Sequence, residues 1–146
     1  MKTIKHIFDG DYGCEESRSK KPIVSVTLVD ESGQESYVAI EDDWLAQHHL
    51  DVGSVWPVYL DRICEMEEIL NKANYLIAYK HDEIKAFLPS IQKLESYYTS
   101  PEWKEDLARD ENGELPDSLK RGVLSEDGIY DMLEKLKEII NLSKTI

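Results

Sequence analysis

Residues 61–79 read DRICEMEEILNKANYLIAY, and the spacing of their apolar side chains decides the fold. Ile63, Met66, Leu70, Ala73 and Ile77 recur every three or four residues, the interval that brings a side chain back to one face of an α-helix. The series resumes with Ile84, Phe87, Leu88, Ile91 and Leu94, and no residue between Tyr79 and Asp82 is a helix breaker. One long helix, or two closely joined ones, is expected here. Its kink should lie at Pro89, whose ring removes the hydrogen bond to the carbonyl of Lys85.

Downstream, Ser100, Pro101 and Glu102 form a helix start: a side-chain cap, then proline at the first helical position. That helix is short and ends in DENGELP (110–116). Ser125 then caps a last amphipathic helix with Ile129, Met132, Leu133, Leu136 and Ile140 on one face. Two long amphipathic helices and a short one can close an antiparallel bundle.

Upstream of residue 60 the period changes from helical to strand-like. IVSVTLV (23–29) and SYVAI (36–40) are β-branched runs joined by the polar turn DESGQE with Gly33, so they read as a hairpin. KTIKHIF (2–8) reads as a third strand with Ile4, His6 and Phe8 on one face. Asp42 or Asp43 can cap a short helix, WLAQHHL, that Gly53 ends before VWP starts an extended piece. The expected fold class is α+β: a small sheet module with one short helix over residues 1–60, and a helical domain over 61–146 with a long kinked helix.

Composition narrows the function. Of 146 residues 41% are hydrophobic and 32% charged, as in globular chains rather than disordered ones. The net charge of −13 and pI near 4.7 disfavour direct nucleic-acid binding, which needs clustered Lys and Arg, and favour a basic partner. The charge is shared: residues 1–60 carry −6 and residues 61–146 carry −7. No apolar run approaches a membrane span and MKTIKHIFDG is charged too early for a secretory signal, so a cytoplasmic protein with reduced cysteines is expected.

The stretch FDGDYGCEES (8–17) is densely acidic, and two chemical readings of it fail. An EF-hand loop starting at Asp9 has Asp11 at the third position but Gly13 at the fifth, Cys14 at the sixth and Lys20 at the twelfth. A reactive thiol at Cys14 would sit among Asp11, Glu15 and Glu16, which disfavour a thiolate. With Cys64 as the only other cysteine, neither a zinc site nor a disulfide framework is implied. His48 and His49 are adjacent and point about 100° apart on a helix, so they do not form a metal site. No metal and no cofactor is expected. Carboxylate pairs are too frequent to single out a catalytic one, and GxSxG, Walker and dinucleotide motifs are lacking, so no enzyme is expected.

Candidate contacts with a partner are the acidic turn, Asp9, Asp11, Glu15 and Glu16, and a second group around SPEW. There Tyr97, Tyr98 and Trp103 bracket a helix start, with Glu105, Asp106, Asp110 and Glu111 close by. The aromatic residues have two roles open to them: packing at a corner between helices, or anchoring a partner whose Arg and Lys meet the carboxylates.

Two resemblances add to these readings. LESYYTSPEWKEDLARDENGELPDSLKRGVLSEDGIYDMLE (94–134) resembles the signature of an uncharacterised bacterial family of small helical proteins, a resemblance extending over most of residues 65–142. It implies a helical fold and no activity. HIFDGDYGCEE (6–16), VSVTLVDESGQESYVAIEDDWL (24–45) and HLDVGSVWP (49–57) resemble a module at the front of small mobile-element proteins, several of which are type II-A anti-CRISPR proteins. That resemblance implies an inhibitor of a type II CRISPR nuclease, occupying basic nucleic-acid-binding surfaces and blocking guide loading or DNA engagement. The alternative expectation is a non-enzymatic structural or regulatory module of a mobile element that self-associates as a homodimer through its long helix.

Overall fold

The computed structural model describes residues 1–9 and 22–144, the side chains of 142–144 excepted. The fold is mixed α+β: a three-stranded antiparallel sheet and a short helix, followed by helices of which one is long. Two compact units divide the chain. One comprises Met1–Val58 with Leu115–Leu119, the other Tyr59–Glu114 with Lys120–Ile146. Helical periodicity gives no sign that Leu115–Leu119 groups with the first unit.

In the first unit β1 (Thr3–Asp9), β2 (Ile23–Val29) and β3 (Glu35–Glu41) lie in the order β1-β2-β3. The hairpin turn between β2 and β3 is closed by Asp30, whose Oδ1 accepts from the backbone N–H groups of Ser32 and Gln34, each at 2.9 Å. Gly33 adopts φ +86°, a left-handed conformation that favours glycine. Val24, Val26, Leu28 and Ile40 are buried.

β1 corrects one expectation. Ile4 opposes Leu28 but His6 opposes Thr27, so Lys5 is an extra residue in the ladder. Such a bulge reverses the alternation of side chains. Ile4 is therefore buried, whereas His6 and Phe8 lie exposed with their rings 5.5 Å apart, and Ile7 instead opposes core Val26. The other edge of β1 is bonded to the extended piece: Ile4 N–H donates to Ser54, and Trp56 N–H to Lys2.

α1 (Asp42–Gln47) buries Trp44 and Leu45. Its N-cap is Glu41, which makes no side-chain capping bond, and Asp42 and Asp43 fall in the first turn. The helix ends at Gln47 with His48 as its C-cap, and His49 rather than Gly53 supplies the left-handed residue that closes it. His49 takes φ +55°, its N–H donates to Ala46, and Leu50 N–H reaches back to Leu45 at 2.9 Å, a Schellman closure. Glu41 is only 2% exposed because its carboxylate accepts from Ser118, at 2.8 Å from the backbone N–H and 3.1 Å from the hydroxyl.

In the second unit the expected helical stretch is two helices, α2 (Val58–Tyr79) and α3 (Ile84–Tyr98). The chain turns at Lys80, φ −139° and ψ 63°, followed by a single 3-10 turn at His81–Glu83. The stretch thus takes the second of its two expected forms, two closely joined helices; the break falls at Lys80 although no residue there is a helix breaker, and α3 runs on through Pro89. Glu65 pairs with Lys93 and the Lys72 ammonium lies over the Phe87 ring, an order of contacts that makes the two helices antiparallel. Doubling back lets the two apolar faces cover each other, which a single extended helix does not. The buried residues are Ile63, Met66, Leu70, Ala73 and Leu76 on α2, with Ile77 half-buried, and Ile84, Ile91 and Leu94 on α3.

α4 (Pro101–Glu111) starts at Ser100, but the Ser100 hydroxyl donates back to the Tyr97 carbonyl at 2.6 Å rather than capping α4. α5 (Gly128–Lys144) begins at the expected cap: Gly128 N–H donates to Ser125 Oγ at 3.0 Å. Ile129, Met132 and Leu136 are its buried face. No helix among the described residues is long and apolar enough to cross a membrane.

Glu41→Ala is expected to leave the Ser118 N–H and hydroxyl without their acceptor and to lower stability by about 1–3 kcal/mol. Chemical denaturation measures this loss, and hydrogen exchange should show faster exchange at Ser118.

Candidate functional site

Among the described residues α4 carries most of the candidate contacts, and the structure separates them into interior and exterior sets. Trp103 and Asp106 are one turn apart and both are buried. Trp103 Nε1–H donates to the Val123 carbonyl at 2.9 Å, and its indole meets the Tyr98 ring edge-on at 5.0 Å. Tyr98, half-buried, donates its hydroxyl to the Glu126 carbonyl.

Asp106 is 0% exposed. Arg62 of α2 approaches it bidentately, Nη2 to Oδ1 at 2.6 Å and Nε to Oδ2 at 2.9 Å. Arg109 Nη1 donates to Oδ1 at 2.9 Å and the Tyr97 hydroxyl to Oδ2 at 2.7 Å. Two donors on each oxygen fill the acceptor positions of a carboxylate, which leaves no free lone pair for a metal or for proton abstraction. The Arg109 guanidinium also lies 4.2 Å above the Tyr59 ring.

The electrostatics follow from this geometry. Burial, and then the bond to Asp106, push the Tyr97 hydroxyl far above the ordinary tyrosine range. Burial raises Tyr59 as well. The hydrogen bond to Asp106 holds Arg62 still more firmly protonated. Among the described residues no buried side-chain nitrogen or oxygen lacks a hydrogen-bond partner.

Two further carboxylates fix the segment before α5. Glu67 accepts from the N–H groups of Gly122 and Val123, each at 3.0 Å. A Cβ on Gly122 would lie 3.1 Å from Glu67 Oε1, so glycine lets the carboxylate come close. Asp110, half-buried, accepts from Arg121 at 2.8 Å.

Tyr97, Trp103 and Asp106 are thus interior residues, and the aromatic group packs the corner between helices. Glu105 and Glu111 are exposed. Asp9 is exposed at the end of β1, while Asp11, Glu15 and Glu16 lie outside the described residues. Sequence reasoning missed Tyr59, Arg62, Arg109 and Glu67. The available signal was Asp106 itself, a charged residue in register with buried Trp103. It also missed a row on α5, where Asp131, Glu134 and Glu138 recur at three and four residues and are all exposed. Among the described residues no group of three or more His, Cys, Asp or Glu is arranged to hold a metal ion.

Asp106→Ala should strand two arginines and a tyrosine hydroxyl and cost about 3–5 kcal/mol in a denaturation experiment. For Tyr97 the sign of the pH dependence is fixed. The unfolded tyrosine ionises at about pH 10 and the folded one does not, so stability is intact below that pH and falls as pH rises above it. In Tyr97→Phe this alkaline decline is expected to be shallower, with Tyr59 retaining part of it; denaturation midpoints at mildly and strongly alkaline pH compare the two.

Residues 63–144 match DUF4298, described as a domain of unknown function, and this match takes in more than half of the chain. No curated protein and no solved structure matches. The chain belongs to the DUF4298 family.

Proposed function

We propose that this protein is a non-catalytic binding module that recognises a basic protein through an acidic exterior. One observation carries it: Arg62, Arg109 and Arg121, the arginines of the described residues, are all turned onto the chain's own carboxylates, Asp106 and Asp110. Their charge is thereby held in internal pairs. The exterior of α4 carries Glu105 and Glu111, and that of α5 carries Asp131, Glu134 and Glu138 beside the exposed Lys135 and Lys137, the latter paired with Glu134; the excess of negative charge is that of the whole chain, −13. Such a surface speeds encounter with a basic partner and excludes other acidic ones.

The partner class comes from the resemblance of residues 4–57 to the front module of type II-A anti-CRISPR proteins. A type II effector nuclease holds nucleic acid in a strongly basic channel, where protein carboxylates can stand in for phosphates. Inhibition of guide loading or of DNA engagement follows from that competition.

A second reading, self-association through the long helix, is favoured by Tyr75 and Tyr79 on α2. These rings are 52% and 74% exposed and lie 5.4 Å apart. Large exposed aromatic side chains are typical anchors of protein interfaces.

DNA cleavage by a purified type II effector, with the protein added before or after guide RNA, tests the first reading. Inhibition that weakens as salt is raised is expected. Inhibition only on early addition places the action at guide loading; inhibition in both orders places it at DNA binding or cleavage. Uninhibited cleavage across effector subtypes, together with a dimer in sedimentation that Tyr75→Ser/Tyr79→Ser disperses, would replace it with the second reading.

A further inference from the structure

Among the described residues two open recesses each combine an apolar floor with two carboxylates. The recess in the second unit is lined by Leu76, Ala86 and Phe87 together with Asp82 and Glu83, and it contains a cation of the chain's own: Lys72, whose ammonium lies 5.1 Å from the Phe87 ring centroid. An apolar floor takes the methylene stem of a long basic side chain while carboxylates and a ring face take its charge.

The recess in the first unit, about 480 Å³, has the apolar floor and the carboxylates, with no Phe, Tyr or Trp among its described lining residues. Its floor is Ile7, Leu45, Ala46 and Leu50; Asp42 and Asp51, both exposed, supply the carboxylates. Among the described residues that line it there is neither a lysine nor an arginine. The β1 bulge matters here, because it is what turns Ile7 toward the core side of the sheet and His6 away from it. His49 completes the lining in its left-handed conformation, at the turn that carries the chain from α1 to Asp51.

We infer that this recess in the first unit is a docking slot for an arginine or lysine side chain of the partner. The inference rests on the basic-partner reading and deepens it: the first unit supplies a shaped contact, and the chain's net charge of −13 supplies long-range attraction. Charge complementarity selects the occupant. An acidic or purely apolar side chain would leave Asp42 and Asp51 unpaired or poorly hydrated.

A short oligoarginine peptide is the probe, added to the full-length protein with isotope-labelled Ile and Leu methyl groups. Saturable shifts are expected at Ile7, Leu45 and Leu50. The variant Asp42→Asn/Asp51→Asn keeps side-chain volume and an acceptor oxygen for the Val52 N–H that Asp51 now accepts. It should lose these shifts and bind about fivefold more weakly. Asp131→Asn/Glu134→Gln/Glu138→Gln removes more charge but should leave the shifts at the slot. Peptide binding with no response at Ile7, Leu45 and Leu50 would overturn the slot and leave the basic-partner reading standing. Absence of peptide binding would overturn both.

Discussion

The second unit depends on one buried carboxylate. Asp106 gathers Arg62 from α2, Tyr97 from the end of α3 and Arg109 from its own helix. A charge taken out of water is tolerated only when its hydrogen-bonding capacity is met, and here four donors meet it. Register between three helices follows, because the bidentate Arg62 contact and the Tyr97 hydroxyl have narrow geometric tolerance. The first unit uses the same device more simply, with the buried Glu41 carboxylate holding Ser118. Both carboxylates tie residues distant in sequence.

That constraint also shapes the exterior. The 17 Lys and Arg are outnumbered by 30 Asp and Glu, and the described arginines are held in internal pairs. Lys5, Lys93 and Lys137 pair at the surface with exposed or half-exposed glutamates, where such pairs contribute little to stability. On the proposed reading, the excess of carboxylates serves recognition without loss of the fold. Removing Asp106 and removing Glu138 are different experiments, although both delete one negative charge: the first dismantles packing and the second alters only the field outside.

The helical and strand periods were legible in the sequence because burial imposes them directly. Ile63, Met66, Leu70 and Ala73 are core residues at the spacing that announced a helix, and the β2–β3 hairpin forms around the polar turn with Gly33. What escaped were features set by geometry across the fold. The break at Lys80 contains no proline or glycine, and its cause is the burial gained when α3 folds back on α2. The bulge at Lys5 reverses the faces of His6 and Phe8 through a ladder contact that no local pattern encodes. At the candidate site the carboxylates of α4 looked alike in sequence. Only the position of Asp106 in register with Trp103 distinguishes the buried residue from Glu105 and Glu111 beside it.

Direct binding of the full-length protein to a guide-free type II effector, followed by calorimetry over a series of salt concentrations, tests most directly whether the acidic exterior recognises a basic partner. Carboxylates meeting partner cations require a complex whose affinity falls by about tenfold between low and physiological salt. A complex whose affinity does not change with salt, or the absence of any complex, would contradict recognition by charge.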